Sequence, residues 1–149
     1  MNYKNTVLVS VGVIFRDYHG KRKWLLVRKN DDSEWELPRI TVRKTESSAR
    51  ASIRMAGEQL GANTQILEEA GRSGGTVTVN GRTLSQRLIY YLMKLKSQDG
   101  EVLGFAEASF FEYAQAVRRL TTKRERQMLK AAKDEYKRWL VKKERVVLN

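Results

Sequence analysis

Five cationic side chains near the C-terminus are spaced so that they could bind phosphates together. Lys123, Arg126, Lys130, Lys133 and Lys137 follow one another at intervals of three, four, three and four residues, which places them on one face of an α-helix. A row of this kind can follow a phosphate backbone, and such binding weakens as the salt concentration rises. The alternative is that these charges only form the solvated outer face of a terminal helix.

The overall charge also favours an anionic partner. The 149-residue chain has 29 Lys and Arg against 17 Asp and Glu, with a net charge of +12 and a pI near 10.1. Twelve of the basic residues, against five acidic ones, lie in residues 111–149. A basic surface attracts nucleic acid, nucleotides or anionic lipid, although solubility alone would also explain the charge.

The composition excludes several other kinds of chemistry. The chain contains no cysteine, which excludes disulfides, cysteine-ligated zinc, iron–sulfur clusters and thiol catalysis. A single histidine, His19, excludes histidine-rich metal sites. The longest apolar runs are about five residues, far short of the ~20 that span a bilayer, and the N-terminus has no apolar signal-peptide core. We therefore expect a cytoplasmic protein without a membrane partner.

Alternating apolar residues predict that the chain begins with a β-hairpin. Residues 6–15 and 23–29 are rich in branched side chains and flank a turn at 17–20. Residues 46–60 then show helical periodicity, with Thr45 as the expected N-cap and Gly61 as the residue that ends the helix. The expected buried stripe of this helix is Ala49, Ile53, Ala56 and Leu60.

The second half of the chain predicts strands followed by two helices. Strands are expected at 65–70, 74–79, 83–95 and 105–111, with turns at 72–75 and at Asn80-Gly81. The last helix spans about 122–145, begins at Thr121 or Thr122, and has the apolar stripe Leu129, Ala132, Tyr136 and Leu140. We expect one α/β (α+β) domain over residues 1–149, with a mixed sheet sandwiched between helices.

The stretch from Trp35 to Ala62 resembles the signature of the Nudix hydrolase superfamily. That signature is Gly, five residues, Glu, seven residues, and then Arg-Glu-apolar-x-Glu-Glu-x-Gly-apolar. The matching residues here are Glu46, Arg54, Ala56, Glu58, Gly61 and Ala62. The preceding Trp-x-Leu-Pro, the VGVIF and WLLVRK strands and the later Glu107-x-x-Phe-Phe are also typical of the family. The resemblance covers most of the chain and implies the Nudix fold.

Three positions depart from the signature. The opening glycine is Ile40, the glutamate after the arginine is Met55, and the second paired glutamate is Gln59. In the family, carboxylates on this helix hold divalent metals that bridge a pyrophosphate and activate water. Mg²⁺ prefers hard anionic oxygens, so we expect only weak Mg²⁺ binding and no required cofactor. The substitutions Met55→Glu and Gln59→Glu are expected to restore part of the metal binding.

The resemblance also assigns roles to the residues that match. It makes Glu46, Glu58 and Glu107 the candidate catalytic residues, all weak, and Glu58 and Glu107 the candidate metal ligands. Arg54 and Gly61 would support the helix that carries them.

The sequence therefore predicts a degenerate Nudix-fold protein that binds nucleotide or RNA phosphates with little or no pyrophosphohydrolase activity. The first alternative is an active, metal-dependent Nudix hydrolase of nucleoside diphosphate derivatives. The second is a protein-interaction scaffold. The expected partner is RNA or a nucleotide, and a homodimer or a place in a ribonucleoprotein is left open. Enzymatic activity is also left open, with Met55 and Gln59 favouring its absence.

Overall fold

The computed structural model describes the backbone of residues 6–148 and the side chains of residues 6–145. The strands in this range are β1 (Thr6–Tyr18), β2 (Lys21–Arg28), β3 (Arg39–Thr41), β4 (Ala62–Val79), β5 (Arg82–Gln98) and β6 (Glu107–Glu112). The helices are α1 (Ser48–Leu60), α2 (Tyr113–Arg119) and α3 (Lys123–Leu148). None of these helices is long and apolar enough to cross a membrane. The expectation about a signal peptide concerns residues 1–5, which lie outside the described range.

The strands form one mixed sheet in the order β4-β5-β1-β2-β6. β1 runs parallel to β5, and the other neighbouring strands are antiparallel. β3 pairs with β1 at Val9–Val11, whereas β2 pairs with β1 at Phe15–Tyr18. The segment between β2 and β3 therefore lies beside the middle of β1, where the pairing of β1 changes from β3 to β2. There the Gly12 amide donates a hydrogen bond to the Pro38 carbonyl at 2.9 Å.

Side chains of β1 alternate between two apolar layers. Val9, Val11, Val13 and Phe15 pack in a cluster with residues of α2 and α3. Ile14 lies in a second cluster with residues of α1. The sheet is therefore sandwiched between α1 on one face and α2 with α3 on the other, which confirms the predicted fold class.

The first helix differs from the prediction in its start and in its buried face. Ser47, and not Thr45, is the N-cap, because the Ser47 Oγ accepts from the Arg50 amide at 3.1 Å. Ala56 and Leu60 of the predicted stripe are buried, whereas the prediction for Ile53 was wrong because this side chain is 47% exposed. The helix instead packs its small residues Ala51 and Ser52 against the sheet, where the hydroxyls of Ser52 and Ser10 lie 2.6 Å apart. Gly61 ends the helix in the left-handed conformation, as predicted.

The two strands expected at 65–70 and 74–79 are parts of the single strand β4, and residues 72–75 are not a turn. Gly71 leaves room for α3, whereas a side chain at Gly75 would make only an ordinary contact with it. A Cβ on Gly71 would lie 2.8 Å from the Met128 Sδ, and one on Gly75 would lie 3.5 Å from an Arg124 guanidinium nitrogen. The turn expected at Asn80-Gly81 is confirmed, since both residues have positive φ.

The C-terminal elements follow the prediction more closely. β5 begins one residue before and ends three residues after the expected strand at 83–95, and β6 begins at Glu107 rather than at residue 105. Thr122 precedes α3 and its Oγ1 accepts from the Glu125 amide at 3.2 Å, as expected of an N-cap. Leu129, Ala132 and Tyr136 are buried, which confirms the predicted apolar stripe.

Candidate functional site

Glu46 and Arg54 form an ion pair beside the N-terminal end of α1. Arg54 Nε donates to Glu46 Oε2, and Arg54 Nη2 donates to Glu46 Oε1, both at 2.8 Å. These hydrogen bonds from Arg54 lower the pKa of Glu46 to about 2, with help from the Arg43 amide. Arg54 Nη2 also donates to the Thr41 carbonyl at 3.1 Å. Glu46 and Arg54 therefore fasten the loop after β3 to α1.

The other two candidate glutamates lie in different surroundings. Glu58 is mostly exposed, and its Oε2 lies 3.6 Å from Arg54 Nη1. Glu107 lies on β6 and pairs with Arg28 of β2, Nη2 to Oε2 at 3.0 Å. The structure thus brings Glu46 and Glu58 together around Arg54 and places Glu107 in a separate ion pair.

The two substituted helix positions have different exposure. Met55 is fully buried in the cluster between α1 and the sheet, and its Cε lies 2.9 Å from the point where a Cβ would stand on Gly12. Gln59 is partly exposed and lines a cavity. Position 59 therefore faces the candidate site, whereas position 55 belongs to the core.

Residues 99–104 cover the C-terminal end of α1. The Gly61 carbonyl accepts from the amides of Asp99 at 3.1 Å and Gly100 at 3.0 Å, and the Gln59 carbonyl accepts from Leu103 and Gly104. A Cβ on Gly61 would lie 2.4 Å from the Gly100 carbonyl carbon. A glycine is required at 61 both for its positive φ of 59° and for this close approach.

These residues do not fit a magnesium site. Met55 offers no oxygen, Gln59 offers a neutral amide, and both oxygens of Glu46 accept from Arg54. Within residues 6–145 no group of three or more His, Asp or Glu side chains is placed to hold a metal ion. Mg²⁺ demands near-octahedral coordination by hard oxygens, which this set of donors does not supply.

A cleft of two adjoining cavities lies beside Gln59. The first, called here the box cavity, has a volume of about 340 Å³ and includes Lys29, Ile40, Gln59 and Phe105 in its lining. The second, called the helix cavity, has a volume of about 420 Å³ and reaches Thr121, Thr122 and Arg124 at the start of α3. Glu36, Arg39 and Gln86 line both cavities.

Arg39 is fixed in this shared wall by α3. Its Nη2 pairs with Oε1 of Glu125, a side chain that is only 7% exposed, and the same oxygen accepts from the Leu37 amide at 3.3 Å. Burial raises the pKa of Glu125, and the charge of Arg39 opposes that rise. Thr121 Oγ1 also donates to Glu34 Oε2 at 2.8 Å. The start of α3 therefore positions the segment between β2 and β3.

Lys29 supplies a second cation to the box cavity. The ion pairs between described residues do not include Lys29. Its charge is therefore available to an anion in the cavity.

The predicted cationic row lies on α3, but part of it packs against neighbouring groups. Arg126 Nη1 donates to the Leu120 carbonyl at 2.8 Å, and the Lys133 Nζ lies 4.0 Å from the centre of the Tyr113 ring. Lys130 is exposed and lies 3.7 Å from Asp134. Lys123 and Lys137 are exposed as well. Two of the five cations therefore help to attach the α2 region to α3.

Of the residues that line the box cavity, Ile40 and Gln59 were identified from the sequence, whereas four polar or charged ones were missed. Lys29, Gln86 and the neighbouring pair of Glu36 and Arg39 come from three separate segments of the chain. The available signals were weak: polar residues on both sides of Leu37-Pro38, and a glutamine within the β5 pattern.

The sandwich of a mixed sheet between α1 and the α2–α3 layer, with a Glu–Arg pair beside α1, defines the Nudix fold. No protein-family model matches the sequence, and no curated protein matches it. Solved structures do match. A C. elegans Ap4A hydrolase in a binary complex superimposes with a TM-score of 0.71 at 19% identity, over 87% of this chain and 97% of that one.

Two further structures give the same result. A Nudix hydrolase from Nitrosomonas europaea has a TM-score of 0.71 at 18% identity, over 87% of this chain and 90% of that one. The Nudix domain of Shewanella oneidensis NrtR complexed with ADP-ribose has a TM-score of 0.70 at 18% identity, over 89% of this chain and 90% of that one. The chain therefore has the Nudix fold.

Proposed function

We propose that the protein binds a nucleotide in the cleft and has little or no pyrophosphohydrolase activity. The observation that carries this proposal is the composition of the box cavity. Its lining combines Lys29 and Arg39, the latter already paired with Glu125, with the amides of Gln59 and Gln86, beside one carboxylate, Glu36. Cations and amide N–H groups can bind a phosphate directly, without a bridging metal.

The structural neighbours and the size of the cleft support a nucleotide as the ligand. One neighbour is an Ap4A hydrolase, and another was solved with ADP-ribose. The two cavities, of about 340 and 420 Å³, fall within the usual range for small-molecule sites.

The alternative of an efficient hydrolase requires carboxylates that can share a metal. Glu58 and Glu107 belong to separate ion pairs with Arg54 and Arg28, and Met55 is buried away from the cleft. A metal supplies several kcal/mol of transition-state stabilisation. We therefore expect turnover at least ~10³-fold below that of a Nudix enzyme with an intact signature.

Calorimetric titration with nucleoside diphosphates tests this proposal. Binding should be the same within about twofold in EDTA and in Mg²⁺. Lys29→Gln should weaken binding about tenfold, because a charge-assisted hydrogen bond is lost. Lys21→Gln is the matched control, since Lys21 is exposed near the β1–β2 turn, and it should bind like the wild type.

The same samples should be assayed for phosphate and pyrophosphate release. Binding that requires Mg²⁺, together with a kcat near 1 per second or above, would establish the hydrolase alternative instead. Absence of nucleotide binding would favour the protein-interaction scaffold.

RNA binding along α3 is a second candidate function. The exposure of Lys123, Lys130 and Lys137 on one helix face favours it. A ribonucleoprotein or a homodimer stays a prediction from the sequence.

A further inference from the structure

The last six residues of β4 form a strand edge without the usual protection. β4 is at one end of the sheet order and, among the described strands, pairs only with β5. Proteins usually protect such an edge with charged residues, proline or a bulge, because its N–H and C=O groups can bind another strand. Residues 74–79 contain no charge and no proline, and all register shifts of β4 lie before residue 72. We call residues 74–79 the open edge.

The two-residue turn after β4 determines which backbone groups of the open edge point outward. Val79 and Arg82 flank this turn as direct partners, and residues in these positions exchange both hydrogen bonds. Hydrogen-bonded and non-hydrogen-bonded pairs then alternate along the two strands. The N–H and C=O groups of Thr76 and Thr78 therefore point away from β5.

A contact with α3 agrees with this orientation. Arg124 Nη2 donates to the carbonyl of Gly74 at 2.8 Å, and Gly74 is two residues from Thr76, so its carbonyl belongs to the same outward row. Among the described residues, no backbone group or side chain pairs with the outward groups of Thr76 and Thr78. The open edge can therefore accept hydrogen bonds from, and donate them to, one more strand.

The hairpin that carries the open edge has one apolar face and one polar face. Val77 lies opposite Leu84, and both are half-buried. Val79 lies on the same face and is 45% exposed. The other face carries four exposed hydroxyl side chains, those of Thr76, Thr78, Thr83 and Ser85. A strand that matches this edge must also have an apolar and a polar face.

We propose that the protein forms a homodimer in which the open edges of two copies pair antiparallel about a twofold axis at Val77. In this register Thr76 of each copy lies opposite Thr78 of the other, so the outward N–H and C=O groups of both residues meet their complements. The two Val77 side chains lie side by side, and the apolar faces of the two hairpins fall on the same side of a continuous sheet. This inference does not depend on the proposed function.

The size and charge of the interface predict a weak dimer that salt strengthens. Six residues bury far less than the ~1,600 Å² of a standard interface, so we expect a Kd of about 10–100 µM. Each copy has a net charge of +12, and salt screens the repulsion between them. A dimer bridged by nucleic acid would instead weaken as salt rises.

Sedimentation equilibrium of nuclease-treated protein, up to about 1 mM, tests the dimer. Thr76→Pro removes an amide that β5 does not use, and proline is tolerated on edge strands in this position. The variant should therefore fold, as thermal unfolding can check, and should dimerise at least about tenfold more weakly.

A charge exchange at position 77 tests the register. Val77→Lys and Val77→Glu should each weaken self-association about tenfold or more, because like charges would lie directly opposite each other. Their equimolar mixture should form a heterodimer. Val79→Lys and Val79→Glu are the matched control, since they make the same charge changes on the same face, but position 79 lies opposite Gly75 of the other copy. Mixing these two should give no comparable gain.

Hydrogen exchange tests the edge without any variant. The amides of Thr76 and Thr78 should exchange rapidly in dilute protein and at least about tenfold more slowly when most of the protein is dimeric. The proposal is overturned by a protein that stays monomeric at about 1 mM in high salt, or by a dimer that nuclease abolishes. A dimer that leaves these two amides unprotected, or that Thr76→Pro does not weaken, would use another surface and would also overturn it.

Discussion

Both carboxylate oxygens of Glu46 accept hydrogen bonds from Arg54, and these bonds fasten the loop before α1 to the helix. The signature that suggested a catalytic role is the same pattern that produces the ion pair. A glutamate and an arginine eight residues apart meet here because the loop turns back onto the first turns of the helix. The residue type alone could not distinguish the two roles.

The pH dependence of stability tests the structural role of Glu46. Its pKa falls from 4.5 to about 2 in the folded protein, so the folded state favours the ionised form. This contribution is fully present above pH 4.5 and is lost as the pH falls toward 2. Glu46→Gln should therefore be less stable than the wild type at pH 7, and the difference should shrink between pH 4.5 and 2.

Urea unfolding at several pH values measures this difference. Arg72 and Glu69 form an exposed pair elsewhere, and Glu69→Gln is a control that should change little. Equal stability of Glu46→Gln and the wild type at every pH would contradict the structural role.

The buried position of Met55 changes what a restored metal site requires. From the sequence, glutamates at 55 and 59 are equivalent additions. In the structure, Met55→Glu would place an unpaired carboxylate against Gly12 and Met93 in the core, where a charge is costly. Only Gln59→Glu adds a carboxylate to the cleft.

At the scale of elements, α3 presents fewer cations to a phosphate backbone than its sequence suggests. Arg126 and Lys133 contact Leu120 and Tyr113. If the three exposed lysines contact a single-stranded RNA, the logarithm of the binding constant should change with the logarithm of the salt concentration with a slope of about −2. Five contacts would give a slope of about −3.5. The α2–α3 packing thus reduces the expected salt dependence of RNA binding.

Lysine substitutions on α3 test this surface. Changing Lys130 and Lys137 to Gln should reduce the slope of RNA affinity against salt by about 1.4, since each contact contributes about 0.7. The double change of Lys21 and Lys96 to Gln removes the same charge from exposed positions on β2 and β5. If the two double variants weaken RNA binding equally, the effect comes from the net charge alone. If neither variant weakens it, α3 does not bind RNA.

Elements whose apolar residues follow a simple periodic pattern could be predicted. Elements whose course or buried face depends on contacts with another element could not. The first hairpin and the Leu129–Ala132–Tyr136 stripe follow directly from alternation and helical spacing. The course of β4 as one strand through residues 72–75 could not be predicted, because Gly71 leaves room for Met128 and the Gly74 carbonyl accepts from Arg124, both on a helix that lies far along the chain. The buried face of α1 was predicted correctly at Ala56 and Leu60, but Ser52 was missed because a polar residue makes the contact with β1.

At the scale of the whole molecule, the cleft exists only because distant segments meet. Arg39 and Glu125 are 86 residues apart in sequence, and their ion pair connects the cleft wall to the layer of α3. No local sequence pattern predicts a contact between residues that lie so far apart in the chain. The family resemblance therefore predicted the fold, the helix signature and two positions of the cavity lining, Ile40 and Gln59, but not Lys29, Glu36, Arg39 or Gln86.

The Arg39–Glu125 pair should couple stability to ligand binding. Glu125→Gln removes the charged acceptor of Arg39, which is partly exposed and keeps Glu36 at 3.8 Å, so it should lower the free energy of unfolding by about 1–2 kcal/mol. It should also weaken nucleotide binding, because Arg39 lines both cavities. Lys29→Gln should weaken binding without this loss of stability. Urea unfolding and calorimetry on the two variants check the contrast, and an unchanged affinity in Glu125→Gln would contradict the coupling.

The contacts that residues 99–104 make with α1 also determine how this loop and the C-terminal end of α1 unfold locally. The amides of Asp99 and Gly100 donate to Gly61, and those of Leu103 and Gly104 donate to Gln59. These four protons can exchange with solvent only when their hydrogen bonds to the end of α1 break. The loop, although it has no regular secondary structure, therefore belongs to the same cooperative unit as the helix turn that carries Gln59. Local unfolding of that unit would expose the protected amides and displace one wall of the box cavity in a single event.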